Sequence, residues 1–292
     1  MRAAIIYFSG TGNTKKVAEK YAECLAEQGC ACDLFSLPLK ELPDLSGYDF
    51  IGIGYPIHSF NAPQIVLRFA KALPKRKDKK KVFILKSSGE PVKMSRVSSL
   101  KLKSILKRRG YLVTNEYQYC MPYNMIFRHT DHMAYVMWGT AKALIPIDCA
   151  DIVNGVAHPE KKMPFGRLFA WVLRIEHGGA KFNGLFYKVK GKCIGCGKCA
   201  KNCPVGNIRM KNGKPKFGRK CMMCARCSFY CPANCIKIGL FNGWRINGAY
   251  SFEDGDPNEK NGHENYCKKA YARYFREAEE RISAARQTAS ED

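Results

Sequence analysis

The sequence predicts an α/β protein in which a doubly wound parallel sheet is followed by a second, smaller α+β domain. Buried-strand patterns alternate with amphipathic helix patterns through the first 150 residues, an order typical of a parallel sheet covered by helices on both faces. A loop of glycine and hydroxyl residues follows the first strand, and two runs of closely spaced cysteines lie between residues 193 and 231. These observations point to an anion site and a metal-binding domain.

The apolar segments of the first half have the length of strands. The first, from Ala3 to Phe8, is continuous and predicts a strand that is buried on both faces. The segments CACDLFSL, YDFIGIGYP, KVFILKSSG and YLVTNEYQY predict four more strands. Apolar residues at helical spacing predict one helix directly after the first loop and others at 62–73, 96–109 and 132–147.

The loop after the first strand has the composition of a phosphate site. A strand, a glycine-hydroxyl loop and a helix together place an anion at the helix N-terminus, where backbone amides and hydroxyls donate hydrogen bonds. The loop matches neither the triphosphate pattern GxxxxGK(S/T) nor the dinucleotide pattern GxGxxG, so it favours a terminal monophosphate such as that of FMN. The residues predicted to bind it are Ser9, Gly10, Thr11, Gly12, Asn13 and Thr14.

This stretch resembles the phosphate loop of the flavodoxins, and the matching positions follow in the same order. They are Tyr7, Ser9, Thr11, Gly12, Asn13, Thr14 and Ala18. The resemblance implies a flavodoxin-like sheet of order 2-1-3-4-5, with the ligand crevice at the carboxyl ends of strands one and three. It also implies that the loops after strands three and four flank the flavin ring. The predicted ring-loop residues are Tyr55, Pro56, Ile57, His58, Phe60, Asn61, Ser87, Ser88, Gly89 and Glu90.

Both cysteine runs have the spacing C-x2-C-x2-C-x3-C-P, the bacterial ferredoxin pattern for two 4Fe–4S clusters. Three cysteines on one tight loop can bind three corners of a cluster, and Gly195 and Gly197 allow that loop to turn. The proline after the fourth cysteine directs that cysteine to the other cluster. Zinc is the alternative, but zinc sites favour two C-x2-C pairs that lie farther apart. One predicted cluster has the ligands Cys193, Cys196, Cys199 and Cys231, and the other has Cys221, Cys224, Cys227 and Cys203.

Most of the chain resembles the flavodoxin–ferredoxin fusions of the EFR1 type, found in anaerobic bacteria and archaea, and its last 50 residues share this resemblance least. We expect an FMN-binding domain over 1–150 and a two-cluster ferredoxin domain over 185–240. The linker 151–184 contains one apolar helix pattern, at 163–175, which we expect to pack between the domains. Residues 241–292 are expected to form an irregular segment and a C-terminal helix. Cys235 is interpreted as a core residue beside a cluster rather than a ligand.

Composition limits the environment and the partners. The 15 cysteines come without a recognisable signal peptide, which favours a reducing, cytoplasmic location. No apolar run is long enough to span a membrane, and we expect the apolar helix at 163–175 to be packed rather than bound to a lipid surface. The net charge of +24 favours an acidic redox protein as partner, because no nucleic-acid-binding motif is present. The oligomeric state is left open.

Family resemblance implies electron transfer but no defined substrate. The hypothesis is a relay in which clusters exchange single electrons with an external carrier and FMN connects them to a redox partner or acceptor. One alternative is a flavin-dependent reductase that acts on a small organic substrate beside His58 or Tyr123. Another alternative is a redox-sensing regulatory module.

Overall fold

The computed structural model describes residues 1–161, 163–260 and 262–291. Its largest element is a five-stranded sheet with the order β2-β1-β3-β4-β5, in which every neighbouring pair is parallel. The predicted α/β class and strand order are therefore confirmed. The strands are β1 (Arg2–Tyr7), β2 (Ala31–Ser36), β3 (Phe50–Pro56), β4 (Lys80–Ser88) and β5 (Tyr111–Cys120).

Helices cover both faces of this sheet because its strands alternate apolar side chains between two cores. Ile5 of β1 packs in one core and the adjacent Ile6 in the other. The helices are α1 (Asn13–Glu27), α2 (Gln64–Ala72), α3 (Leu100–Arg108), α4 (Asp131–Val153), α5 (Gly166–Val172), α6 (Ile175–Gly184), α7 (Lys198–Lys201), α8 (Arg226–Phe229) and α9 (Lys268–Glu291). The first core lies under α1 and α4, and the second lies under α2 and α3.

A smaller unit with its own short strands follows the sheet. The strands β6 (Tyr187–Val189) and β9 (Ile236–Ile238) form one antiparallel pair, and β7 (Ile208–Lys211) and β8 (Lys214–Phe217) form another. The two cysteine runs lie between these strands, and each contains a short helix, α7 or α8. This arrangement confirms the predicted smaller α+β unit.

The C-terminal helix α9 is fastened to the sheet domain by a buried polar network. Arg281 donates to the carboxylate of Asp148 at 2.7 Å, and that carboxylate, 1% exposed, also accepts from the hydroxyl of Tyr119. The Tyr119 hydroxyl lies 2.5 Å from that of Tyr21 on α1. A paired buried carboxylate of this kind fixes position because leaving either charge alone would be costly. The network therefore determines where the residues before α9 lie.

The linker differs from the sequence prediction. One packed helix at 163–175 was predicted, but the segment forms two short helices, α5 and α6, and the large apolar side chains of α5 point to solvent. Trp171 is 65% exposed and Phe165 is 86% exposed, while the buried residues of α5 are Gly166 and Ala170. Gly166 lies against Val97 and Leu100 of the neighbouring segment. The helix α5 therefore packs on the protein through its small residues. Among the described helices, none has the length and hydropathy required to cross a bilayer.

Candidate redox site

The loop between β1 and α1 presents the first turn of α1 as an open anion site. Gly12 precedes the helix at φ 109°, a backbone conformation that favours glycine. Within the described residues, no side chain caps this end of α1 and its first turn contains no acidic residue. The Ser9 hydroxyl instead accepts from the amide of Gly12 at 3.1 Å, which tightens the loop. Free amides and the helix dipole therefore converge where the sequence predicts a phosphate.

A cavity of about 390 Å³ extends from this loop along the carboxyl ends of the strands. Thr14 joins the phosphate loop to the β4 loop, because its hydroxyl lies 2.8 Å from that of Ser87. The cavity is the crevice expected at the switch point of a sheet of this order. The predicted residues that line it are Ser9, Gly10, Thr11, Asn13, Thr14, Pro56, Ile57, His58, Phe60, Ser87, Ser88, Gly89 and Glu90.

Three predicted residues do not line this cavity. Tyr55 is fully buried and its hydroxyl lies 3.5 Å from Ser98, so it faces the core rather than the cavity and is not a ring neighbour. The reason is strand alternation, which turns consecutive side chains to opposite faces. Asn61 is buried and exchanges two backbone hydrogen bonds with His58, so it shapes the loop. Gly12 directly precedes α1, and its positive φ allows the chain to turn into the helix.

The cavity is completed by residues that local motifs do not indicate. The Tyr266 hydroxyl lies 3.4 Å from that of Tyr123, and Tyr271 donates to the carbonyl of Gly89. Tyr266, just before α9, and Tyr271, in the first turn of α9, thus cover the cavity and the loop after β4. In the segment after β5, the sequence indicates only Tyr123, as a neighbour of the substrate in the reductase alternative, and no spacing rule connects that segment with residue 266. The additional lining residues are Ser59, Ser95, Met121, Pro122, Tyr123, Asn124, Met125, Ile126, Glu176, Met223, Trp244 and Tyr266.

Titratable groups on the cavity wall are shifted toward their neutral forms. Burial raises the pKa of Glu176 to about 7 and also raises the pKa of Glu90, although a hydrogen bond with Tyr266 opposes that shift. Burial, with a smaller contribution from His177, lowers the pKa of His58 to about 4. At neutral pH the His58 imidazole is therefore neutral, and burial disfavours the ionised form of both carboxyl groups.

The eight cysteines of the two runs divide between two small cavities. The sulfurs surround each cavity in the predicted combination, three from one run and the fourth from the other. Cys227 lines both cavities, so they adjoin. The buried Cys235 lies beside the first cavity, with its sulfur 3.6 Å from that of Cys231. The first cavity contains Cys193, Cys196, Cys199 and Cys231, and the second contains Cys203, Cys221, Cys224 and Cys227.

The two runs repeat the same backbone conformation. Gly195 and Gly197 have φ values of 66° and 69°, and the equivalent residues of the second run, Met223 and Ala225, have 50° and 57°. Left-handed backbone is unfavourable for residues with a Cβ, so the loop shape is kept in the second run despite the strain. The shape directs amides at sulfur, as in the 3.4 Å contact from the Met223 amide to the sulfur of Cys221.

The cysteine geometry fits a group larger than a single ion. Among the described residues, no three His, Cys, Asp or Glu side chains come close enough together to hold one metal ion. A zinc site needs four such atoms within bonding distance of one point. Thiolates at the walls of a cavity, with amides directed at the sulfurs, instead suit an iron–sulfur cube.

The second cysteine run packs directly on the phosphate loop. Arg226 donates to the carbonyl of Gly10 at 2.9 Å and to that of Ser9, and the Tyr230 hydroxyl donates to the carbonyl of Thr11 at 2.6 Å. A Cβ on Gly10 would lie 2.6 Å from the carbonyl oxygen of Cys224, so glycine is required for this approach. The second cysteine cavity therefore adjoins the loop that begins the large cavity.

Family comparisons agree with both halves of this description. Residues 4–119 match the flavodoxin domain, and residues 186–209 match the 4Fe-4S binding domain. The chain joins a flavodoxin domain to a ferredoxin-type 4Fe-4S domain. This is the composition of a flavodoxin–ferredoxin fusion, and the two domains imply FMN and an iron–sulfur cluster, respectively. The second match ends at residue 209, before the second cysteine run.

Solved structures resemble the flavodoxin part. A short-chain flavodoxin associated with a non-canonical PDU bacterial microcompartment has 14% identity and a TM-score of 0.41, over 54% of this chain and 99% of that chain. The two-electron reduced flavodoxin of Megasphaera elsdenii has 22% identity and a TM-score of 0.35, over 40% and 84%. An NAD(P)H:quinone oxidoreductase from Methanothermobacter marburgensis has 15% identity and a TM-score of 0.37, over 50% and 98%. No curated protein matches the chain.

Proposed function

We propose that the protein relays electrons between two 4Fe–4S clusters and FMN. Bound clusters would supply one-electron exchange, and bound FMN would connect it to one- or two-electron partners. The first cysteine cavity would hold the distal cluster, through Cys193, Cys196, Cys199 and Cys231. The second would hold the proximal cluster, through Cys203, Cys221, Cys224 and Cys227. The phosphate loop and the cavity beyond it would hold FMN.

The observation that carries this proposal is the contact between the second cysteine run and the phosphate loop. Arg226 and Tyr230 donate to three consecutive loop carbonyls, and Met223, which lies between two of the proposed ligands, lines the large cavity. One short stretch of chain therefore belongs to both sites. This contact supports a proximal cluster on the flavin side of the ferredoxin-type domain.

The distal cluster is the proposed point of exchange with an external carrier. Cys196 is exposed, whereas Cys224 is partly covered. Lys192, Lys198 and Lys201 lie beside Cys196 in the sequence and are exposed. Together with the net charge of +24, these lysines favour an acidic protein as the carrier, because charge complementarity speeds encounter.

Cofactor analysis of protein purified without oxygen tests the proposal. We expect about one FMN, eight irons and eight acid-labile sulfides per chain. Cluster reduction by dithionite should be followed by loss of the oxidised flavin absorbance within the same molecule, at a rate that does not depend on protein concentration. A content of four irons per chain would contradict the internal relay. So would a rate of flavin reduction that rises with protein concentration, because it would show that electrons pass between molecules.

A second candidate is a flavin-dependent reductase, and the cavity wall is the observation that favours it. Burial raises the pKa of Glu176 to about 7, so its carboxyl group is protonated in part of the molecules beside the proposed flavin site near neutral pH. Such a group can donate a proton to a reduced organic acceptor. Steady-state turnover with a small-molecule acceptor, lost in Glu176→Gln but with FMN retained, would support this candidate over the relay alone.

A further inference from the structure

The linker helices α5 and α6 carry an apolar ridge that nothing in the described part of the chain covers. Its members are large apolar side chains, most of them more than half exposed. Along α5 they recur at helical spacing on one side, while the small residues Gly166 and Ala170 face the protein. The ridge consists of Phe165, Leu168, Trp171, Val172, Ile175, Phe182 and Phe186.

This ridge is unlike a normal exposed surface. Scattered apolar residues are common on proteins, but contiguous groups usually mark a place of interaction. Ile175 is 81% exposed, and Phe182 follows it after seven residues, which is two turns along the helix. Phe182 and Phe186 contact each other edge-on, with ring centroids 5.0 Å apart. Side chains with this exposure protrude from the surface instead of lining a groove.

Positive charge borders the ridge. Residues 161–190 contain seven lysines and arginines and one acidic residue, Glu176, which lies 3.5 Å from His177 and on the cavity wall. On the neighbouring helix, burial lowers the pKa of Lys101, and the charges of Arg174, Arg108 and Lys71 lower it further. Within the described residues, none of these four cations forms an ion pair. The region is thus basic without local compensation.

We propose that this ridge binds the surface of an anionic lipid bilayer. An apolar helical face with Trp and Phe, bordered by Lys and Arg and too short to span, is suited to the boundary between headgroups and acyl chains. The bordering cations would face anionic headgroups. A bilayer is favoured over a protein partner because the apolar side chains protrude, and because the uncompensated cations match a surface of uniform negative charge.

Membrane binding here would act on the redox site directly. The Phe169 ring, on α5, lies 6.3 Å from that of Phe60 in the β3 loop, and Glu176 lines the cavity. At the other end of α6, a Cβ on Gly184 would collide with Cys221, a proposed cluster ligand. The helices that carry the ridge therefore contact the large cavity and the second cysteine cavity, and binding would place the large cavity beside the bilayer.

Sedimentation with lipid vesicles tests the proposal on the cofactor-loaded protein. We expect binding to phosphatidylcholine vesicles that contain phosphatidylglycerol, weaker binding to phosphatidylcholine alone, and loss of binding as salt is raised. The double variant Leu168→Asp/Ile175→Asp should bind roughly tenfold or more weakly, because each change removes an apolar side chain from the interface. The matched control is Leu42→Asp/Leu112→Asp, since Leu42 and Leu112 are 46% and 49% exposed and lie outside the ridge.

Tryptophan fluorescence adds a local readout. Vesicles should shift the emission to shorter wavelength in the wild type and not in Trp171→Phe, which keeps an aromatic ridge and should still sediment. FMN and iron contents that match the wild type show that the ridge variant is folded. Equal sedimentation of the ridge variant and the wild type would overturn the proposal. So would a wild type that stays in solution with anionic vesicles at low salt, or a ridge that proves to be the contact of a stable dimer in sedimentation velocity.

Discussion

The cysteine cavities adjoin the large cavity that we propose holds FMN, here called the flavin cavity, but the two kinds of cavity are assembled in opposite ways. Both cysteine cavities are lined by residues between Tyr187 and Ile236, and their positions follow from a spacing that occurs twice. The flavin cavity takes residues from Ser9 through Tyr266, and its cover has no sequence signature. The comparison teaches that a ligand set fixed by local loops can be recognised from spacing, whereas a cavity closed by distant segments needs the tertiary fold. The contact between the two regions should be sensitive to mutation from either side.

The largest effects are expected when one proposed cluster ligand is removed from each of the two cysteine cavities. Cys196→Ala should lose about four of eight irons and keep FMN, because Cys196 is exposed and lies in the cavity away from the phosphate loop. Cys224→Ala should lose a similar amount of iron and also bind FMN more weakly, because Cys224 packs on Gly10. Iron analysis and FMN titration measure both quantities.

The control for this pair is Cys235→Ala. Cys235 lies beside the first cavity but is not a proposed ligand, so the variant should keep all of its iron. Equal loss of FMN in Cys196→Ala and Cys224→Ala would mean that the two cysteine cavities do not differ in their effect on FMN binding.

A smaller effect is expected when the contact between the regions is weakened without loss of a ligand. Arg226→Ala removes the hydrogen bonds to the carbonyls of Ser9 and Gly10. Hydrogen bonds from a charged group contribute about 1.5–3 kcal/mol, so FMN affinity should fall roughly tenfold or more while iron is retained. The exposed Arg209 on β7 gives the control Arg209→Ala, which should leave FMN affinity unchanged. A loss of iron in Arg226→Ala would instead indicate a role in the cluster loop itself.

The smallest expected effect concerns the pH dependence of the cavity wall. The raised pKa of Glu176, about 7, means that between about pH 4.5 and 7 the native state holds a proton that the unfolded chain has released. The contribution of Glu176 to stability is therefore fully present below about pH 4.5 and is lost as the pH rises through 7. In thermal unfolding, Glu176→Gln should gain stability relative to the wild type, by a few degrees, as the pH is raised from 5 to 8. A pH-independent difference would show that Glu176 is not protonated in the native state.

Sequence predicted the parts of the site that depend on short-range rules. The parallel sheet followed from alternating patterns, and its strand order was implied by the flavodoxin resemblance. The grouping of Cys231 with the first run followed from the proline after it. Strand alternation also explains the failure at Tyr55, since a residue next to the loop can still face the core. The cover by Tyr266 and Tyr271 was beyond prediction because it depends on how the Asp148–Arg281 pair places α9. The linker was predicted to be packed because its apolar pattern was taken as evidence of burial, and the pattern does not say which face lies inward.

The late position of the cover has a consequence for how the protein is made. Chains emerge from the ribosome N-terminus first, and domains generally fold in that order. The phosphate loop at Ser9 is synthesised early, whereas Tyr266, which helps to close the cavity, emerges only after both cysteine runs. We therefore expect the flavin to be loaded last, onto a chain whose iron–sulfur loops have already been made.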